Sequence, residues 1–254
     1  MTRALVALVV AAGLAAGAGG CGSSSAPDAQ ALHDVEGAVR AVNRAIGVHT
    51  AFMTVGNVDT GATPEIIATS LWGRVMAEAS GCVTATHTGA TVHADFAADC
   101  MLATASMRAG GSVDIVVEPE ATGGRRATMT LQLTVDGELL AGDFVVSTPN
   151  GQSFTFSADA LTLGATTVTV PLVKAGIAGG GATMDALNAT AGAAGAGFSM
   201  TAVHQRFAGC YADEGVATLG AVTVTFSSVT PQTGAVQLAA GRSGTLPPRT
   251  GCPR

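Results

Sequence analysis

The chain is poor in charge and in large aromatic side chains. Only 12% of its 254 residues are charged, and it holds one Trp and one Tyr beside 34 Gly. Low charge together with abundant Thr, Val, Ala and Gly favours strands joined by tight turns over a solvated helical bundle. The net charge of −6, with only 12 Lys and Arg, argues against the basic patch that a nucleic-acid partner requires. We therefore expect a sheet-rich protein that binds no nucleic acid.

Motifs that carry chemistry are also missing from the sequence. It contains no GxSxG, SxxK or HExxH pattern, and its cysteines show neither CxxC nor CxxH spacing. Gly179-Gly180-Gly181 lacks both the glycine spacing and the Lys of a phosphate loop. We therefore predict no catalytic residue, no metal site and no cofactor.

Histidines and acids come closest to forming a site. His87 and His93 share one predicted hairpin but lie on opposite faces, which separates them as metal ligands. His204 lies six residues before Cys210, a thiol that we expect to be oxidised and inert. Six acids near the turns match neither a calcium loop nor a glycosidase pair, so we interpret them as solvated turn charges. They are Asp114, Glu118, Glu120, Asp136, Glu138 and Asp143.

The N-terminus has the pattern of an export signal. Met1-Thr2-Arg3 precedes an apolar run from Ala4 to Ala18, which is shorter than the roughly 20 apolar residues of a membrane span. The boundary Ala18-Gly19-Gly20-Cys21 resembles the lipobox of bacterial lipoproteins, with Ala18 where that motif usually has Leu. The resemblance implies removal of residues 1–20, a lipid on Cys21 and a flexible tether over residues 21–28. An ordinary signal peptide with an incidental Cys is the alternative.

Four cysteines remain beside Cys21, and an even number in an exported chain predicts two disulfides. Four cysteines allow three pairings. We favour Cys82 with Cys100 and Cys210 with Cys252, because each pair brackets one compact β segment. On the chain-entropy account, each closure stabilises the fold by roughly 3 to 4 kcal/mol.

Residues 29–80 are predicted to form two helices. In the first, over residues 28–50, apolar residues recur at steps of three and four and form one face, with Glu36 and Arg40 on the outside. The apolar face consists of Leu32, Val35, Val39, Val42 and Ile46. The second helix starts at Thr63-Pro64-Glu65 and ends before Gly81. Trp72, with its large area, is expected to anchor this helix on the sheet.

Residues 81–173 alternate between apolar and polar residues and predict an antiparallel meander. A two-residue turn at Gly89-Ala90 or Asp136-Gly137 sorts apolar from polar faces cleanly, and Gly164-Ala165 is a further bend. A two-residue turn at Asn150-Gly151 would instead place Phe154 and Phe156 on the face opposite Leu131 and Leu133. Either a bulge intervenes there, or the sheet buries both faces.

The last third of the chain is predicted less clearly. Residues 174–198 are dominated by Ala and Gly, and we expect irregular structure or weak strands there. Residues 199–254 return to a β pattern. The fold class is therefore α+β and mainly β, a single domain over residues 29–254, with N-terminal helices packed on a long curved antiparallel meander.

The Gly- and Thr-rich hairpins with paired cysteines resemble those of uncharacterised exported lipoproteins from GC-rich bacteria, a resemblance that implies no particular activity. Gly22 in place of Asp after Cys21 implies transfer to an outer membrane. We expect a non-catalytic, lipid-anchored envelope protein, whose partner is the membrane. One alternative is a carrier of a lipid or other apolar ligand, in a cavity lined by Leu131, Leu133, Phe144 and Trp72. The second alternative function is that of a secreted hydrolase.

Overall fold

The computed structural model describes residues 26–53, 59–121, 123–151 and 153–249. The predicted signal peptide, Cys21 and Cys252 lie outside these residues. Within them, thirteen strands form one sheet in which each strand pairs with the next strand of the sequence. Every pairing is antiparallel. The predicted mainly β fold, built on one long antiparallel meander, is confirmed.

The described elements have the following bounds. The helices are α1 (Ala26–Phe52), α2 (Pro64–Glu78) and the four-residue α3 (Thr230–Thr233). The strands are β1 (Val83–Thr88), β2 (Thr91–Leu102), β3 (Met107–Pro119), β4 (Arg125–Val135), β5 (Glu138–Thr148), β6 (Thr155–Leu163), β7 (Thr166–Ala178), β8 (Gly181–Ala191), β9 (Ala196–Arg206), β10 (Glu214–Leu219), β11 (Val222–Thr225), β12 (Ala235–Leu238) and β13 (Ser243–Thr245).

The hairpin of β4 and β5 has the register that its turn predicts. Asp136 and Gly137 have positive φ angles of 48° and 86°, as a type I′ turn requires. The turn pairs Val135 with Glu138 and places alternate residues of β4 on the buried face. These residues are Ala127, Met129, Leu131, Leu133 and Val135.

The first hairpin is confirmed in the same way. The turn at Gly89-Ala90 pairs Thr86 with His93 and His87 with Val92. Val92 is fully buried, so the two histidines lie on opposite faces of the sheet, as predicted.

The cysteines of this hairpin form a disulfide. Cys82 and Cys100, separated by 18 residues, are bonded to each other, which confirms the predicted pairing. Cys210 is disulfide-bonded as well. The pairing of Cys210 with Cys252 stays a prediction, because Cys252 lies outside the described residues.

The connection between β5 and β6 is longer than a two-residue turn. The ladder pairs Val146 with Phe156, one residue away from the register that a turn at Asn150-Gly151 would give. Phe156 is therefore buried, and its ring stacks on Phe144 with centroids 5.5 Å apart. The longer connection returns the apolar residues of β6 to the same face as those of β5.

Residues 174–198 form regular strands, which corrects the expectation of irregular structure or weak strands. β7 continues to Ala178, Gly179 and Gly180 turn the chain with positive φ angles, and β8 and β9 follow. Alternate residues of β8 point into the core, where Ala182, Met184 and Ala186 are at most 1% exposed. The alanine side chains suit this face, because α1 contacts β8 directly and leaves little space for larger side chains.

Burial extends around the whole of α1. Every residue from Val35 to Met53 is buried, and the helix contacts the strands from β5 to β11. Its polar residues are buried with the apolar ones: the side chains of Glu36 and Arg40 are 6% and 7% exposed. The prediction of one apolar face with this pair in solvent is wrong, because strands cover several sides of the helix.

The second helix starts at Pro64 after the N-cap residue Thr63, as predicted. It contacts β1, β2 and β3. Trp72 is partly buried; its Nε1 donates to the carbonyl of Ala85 at 2.9 Å, and its ring stacks on His87 with centroids 5.2 Å apart.

A glycine in α1 allows this helix to lie close to the sheet. A Cβ placed on Gly37 would lie 2.2 Å from Oγ1 of Thr166 and 2.6 Å from its Cβ. Thr166 is 1% exposed, so its side chain has little room to move away. Only glycine at position 37 fits this contact.

We predict that Gly37→Ala lowers the free energy of unfolding by about 1 to 3 kcal/mol, because the new methyl overlaps Thr166. In an open helix the same change is stabilising by up to about 1 kcal/mol. Gly73→Ala in α2 is the matched control, since an added Cβ there meets nothing within 4 Å. Urea unfolding followed by circular dichroism measures both variants. Equal changes in stability would contradict the close approach of α1 to β7.

Candidate functional site

Six charged side chains meet where α1 contacts the β4–β5 turn and the C-terminal segment. They are Glu36, Arg40 and Arg44 of α1, Asp136 and Glu138 of the turn region, and Arg249. Arg40 Nε lies 2.8 Å from Glu36 Oε1, and Arg40 also pairs with Glu138. Arg44 Nη2 lies 2.9 Å from Asp136 Oδ2. The interpretation of Asp136 and Glu138 as solvated turn charges is incomplete, because their side chains are 32% and 36% exposed but each also pairs with an arginine of α1.

The buried arginines depend on these carboxylates. Burial lowers the pKa of Arg40, and it lowers the pKa of Arg44 to about 10, because the charged form loses its hydration. The carboxylates of Glu36 and Asp136 act in the opposite direction. Both arginines therefore stay cationic at neutral pH, with their charges compensated within the protein. A cleft of about 360 Å³ opens beside this cluster, but the charges are already paired with one another, so we interpret the cluster as a structural junction.

His49 is a buried titratable residue of the core. It is 0% exposed and lies between the rings of Phe154 and Phe156, with centroids 5.4 and 5.2 Å away. Neither ring nitrogen has a hydrogen-bond partner among the described residues. Burial lowers its pKa to about 3, so the ring is neutral at neutral pH and packs as an aromatic side chain. No sequence motif marks this position.

His93 forms a polar row on the outer face of the sheet. Its Nδ1 lies 2.7 Å from Asp114 Oδ1, and its Nε2 lies 3.0 Å from Asp95 Oδ2. The hydrogen bond with Asp114, followed by that with Asp95, raises the pKa of His93. The two carboxylates lie on opposite nitrogens of the ring, so the three residues do not converge on one point. The His93 side chain is 44% exposed, and those of Asp95 and Asp114 are 64% and 50% exposed.

His204 forms a second histidine–aspartate pair, and this one lines a cleft. His204 Nδ1 lies 2.5 Å from Asp213 Oδ1, and both side chains are about one quarter exposed, at 27% and 29%. The cleft beside them has a volume of about 500 Å³. Its other polar lining residues are Arg206, Glu214, Ser228 and Gln232, and Tyr211 and Pro231 provide apolar walls. Sequence reasoning considered His204 only as a neighbour of Cys210 and missed its pairing with Asp213.

The sequence-predicted sites have different outcomes. The proposed lipid attachment at Cys21 lies outside the described residues and stays a prediction. The six acids do not form one site, because Asp114 contacts His93, Asp143 accepts from Thr130 Oγ1 at 2.7 Å, and Asp136 pairs with Arg44. In the described part of the chain, no group of three His, Cys, Asp or Glu side chains could hold a metal ion.

No protein-family model, curated protein or solved structure matches this chain. Among the described helices, none is long and apolar enough to cross a membrane.

We predict that Arg40→Met lowers the free energy of unfolding by about 3 to 5 kcal/mol, because it leaves the buried Glu36 without its nearest cation. The double variant Glu36→Leu with Arg40→Met should recover much of that loss, since no charge is then stranded next to the helix. Arg126→Met, at an exposed position of β4, is the control and should change stability by less than about 0.5 kcal/mol. Urea unfolding at pH 7 measures all three. A double variant no more stable than Arg40→Met would contradict this assignment.

We predict that His49 makes the fold acid-sensitive. The unfolded chain takes up a proton below pH 6.5, whereas the folded chain resists it down to about pH 3. The contribution of His49 to the free energy of unfolding is complete above pH 6.5. It falls as the pH drops from 6.5 toward 3, and the total loss is about 5 kcal/mol. His49→Leu should remove this part of the pH dependence, and His87→Leu, at an exposed position, should keep it. Urea unfolding at pH 7 and pH 4.5 measures the difference; parallel losses in the wild type and in His49→Leu would contradict the prediction.

Proposed function

We propose that this chain is a non-catalytic, lipid-anchored protein of the cell envelope that acts as a binding or structural module. Its signal peptide ends before Cys21, and the lipid on Cys21 holds the protein at an outer membrane. Its N-terminal helices pack on the curved sheet. The observation that carries the proposal is the position of α1, which begins at Ala26, five residues after Cys21.

The tether between lipid and domain is short. Five residues of fully extended chain span at most about 18 Å. Asp28, in the first turn of α1, is paired with Arg242, with 2.6 Å between Oδ2 and Nη1. From Val35 onward the helix is buried. A lipid on Cys21 would therefore hold the entire sheet near the membrane surface, because the helix that follows the tether belongs to the core.

The interior of the sheet favours this proposal over the carrier alternative. Leu131, Leu133 and Phe144, which would line an apolar cavity, are at most 1% exposed and belong to one core cluster together with residues of α1. The small cavity beside Met53 and Phe154 measures about 10 Å³, which is about the space of one water molecule. An apolar ligand inside the sheet would have to displace the protein's own helix.

The hydrolase alternative would need a hydroxyl group within reach of His204. Ser228 lines the same cleft, but in the described chain its hydroxyl is not hydrogen-bonded to His204. Binding in the cleft requires no such contact, so the binding role is favoured.

We predict that Cys21→Ser releases the protein from the membrane fraction, because the thiol is the attachment point of the lipid. The experiment expresses the full chain in a bacterium with an outer membrane and compares membrane and soluble fractions by immunoblotting. Mass spectrometry of the N-terminal peptide measures the lipid directly. Ser23→Ala is the matched control and should stay in the membrane fraction. A wild-type chain with an unmodified Cys21, or membrane retention of Cys21→Ser, would overturn the anchor.

A further inference from the structure

We infer that the cleft over β9 and β10 binds a saccharide through its hydroxyl groups. The cleft has a volume of about 500 Å³, which lies within the range of sites for small molecules. His204 and Arg206 face it, whereas their neighbours Val203 and Gln205 are buried. The cleft is therefore on the outer side of the sheet and independent of the packed interior.

A β-bulge shapes the floor of the cleft. The ladder between β9 and β10 shifts register between Glu214 and Val216. Gly215 has a φ of 96°, and a Cβ there would lie 2.3 Å from the carbonyl oxygen of Ala202. Bulges re-aim the side chains beside them. Here the irregular step leaves Glu214 opposite His204 in the ladder, directly after Asp213.

Hydrogen bonds fix the histidine ring. Asp213 N donates to the carbonyl of His204 at 3.0 Å, and the Asp213 carboxylate accepts from Nδ1 of the ring. An imidazole with its single proton on Nδ1 offers Nε2 as an acceptor. No described residue occupies Nε2, so it is available to a ligand in the cleft.

The remaining groups of the cleft include both donors and acceptors. Arg206 is exposed, and its guanidinium makes no hydrogen bond or ion pair within the described chain. The amide nitrogen of Gln232, in its satisfied orientation, donates to the carbonyls of Ser228 and Val229 at 2.8 and 3.0 Å. This leaves the Gln232 side-chain oxygen as an acceptor. A ligand group that both donates and accepts can satisfy these neighbours together, and a hydroxyl is such a group.

The charged side chains around the cleft favour a neutral ligand. An anionic ligand would meet the carboxylates of Asp213 and Glu214, and a cationic ligand would meet Arg206. A neutral ligand that is rich in hydroxyls avoids both penalties. Tyr211 and Pro231 provide apolar walls, which suit the C–H face of a sugar ring. These features together point to a neutral saccharide.

This inference rests on the proposed binding role and names its ligand class, but it does not require the lipid. Failure of the Cys21 fractionation would therefore leave the saccharide site intact, and failure of saccharide binding would leave the anchor intact.

The test is saturation-transfer difference NMR with the full chain in detergent micelles. The probes are N-acetylglucosamine, its β-1,4-linked disaccharide and maltose, with acetate and ethanolamine as ionic comparators. We expect transfer to the ring protons of at least one saccharide, with a dissociation constant in the millimolar range. His204→Ala should weaken that binding by at least about tenfold. Arg206→Gln, a change at an exposed side chain, should weaken it in the same direction without a risk to folding.

The matched control is His93→Ala, which removes the other histidine–aspartate contact of the outer face. It should leave saccharide binding unchanged. Absence of transfer to all three saccharides would overturn the inference. Equal binding by the wild type and both cleft variants would also overturn it, as would stronger transfer to acetate or ethanolamine than to any saccharide.

Discussion

The fold depends on pairing the charges of α1 where they are buried. A helix that is buried from Val35 onward cannot turn a polar face to water, so Arg40 and Arg44 need partners supplied by the sheet. Glu138 and Asp136 supply them, and the Arg40–Glu138 pair joins residues 98 positions apart. The same contacts hold the β4–β5 hairpin in place. Helix and hairpin therefore position each other, and neither arrangement is favourable without the other.

The unusual composition has the same origin. A 27-residue helix among inward-facing strands leaves little volume for large side chains. Gly37 at β7 and the inward alanines of β8 reduce the distance between helix and sheet. Phe144 of β5 and Phe156 of β6 are buried and stack on each other. Scarcity of charge follows as well, since both the helix and one face of most strands avoid water.

The sequence predicts local features of this fold well and distant ones poorly. The turns at Gly89 and Asp136 set their registers through residue type and the two-residue period of a strand, both of which are local. The burial of Glu36 and Arg40 depends on strands that begin 98 positions after Arg40, so helical periodicity assigns them to solvent. The candidate site is hard to predict for the same reason. Asp213 contacts His204 because the irregular loop before β10 folds back, and no sequence motif predicts that loop conformation.

The two histidine–aspartate pairs of the outer face have the same residue types but different surroundings. His93 and His204 each contact an aspartate through Nδ1 at hydrogen-bond distance. In His93 the second ring nitrogen contacts Asp95 on an open surface, so both nitrogens are occupied. The second nitrogen of His204 makes no hydrogen bond with a described residue, and His204 lines a cleft that also contains Arg206 and Gln232. Identical residue types therefore give a surface hydrogen bond in one place and part of a cleft in the other. The difference comes from the β-bulge and the loop beside His204.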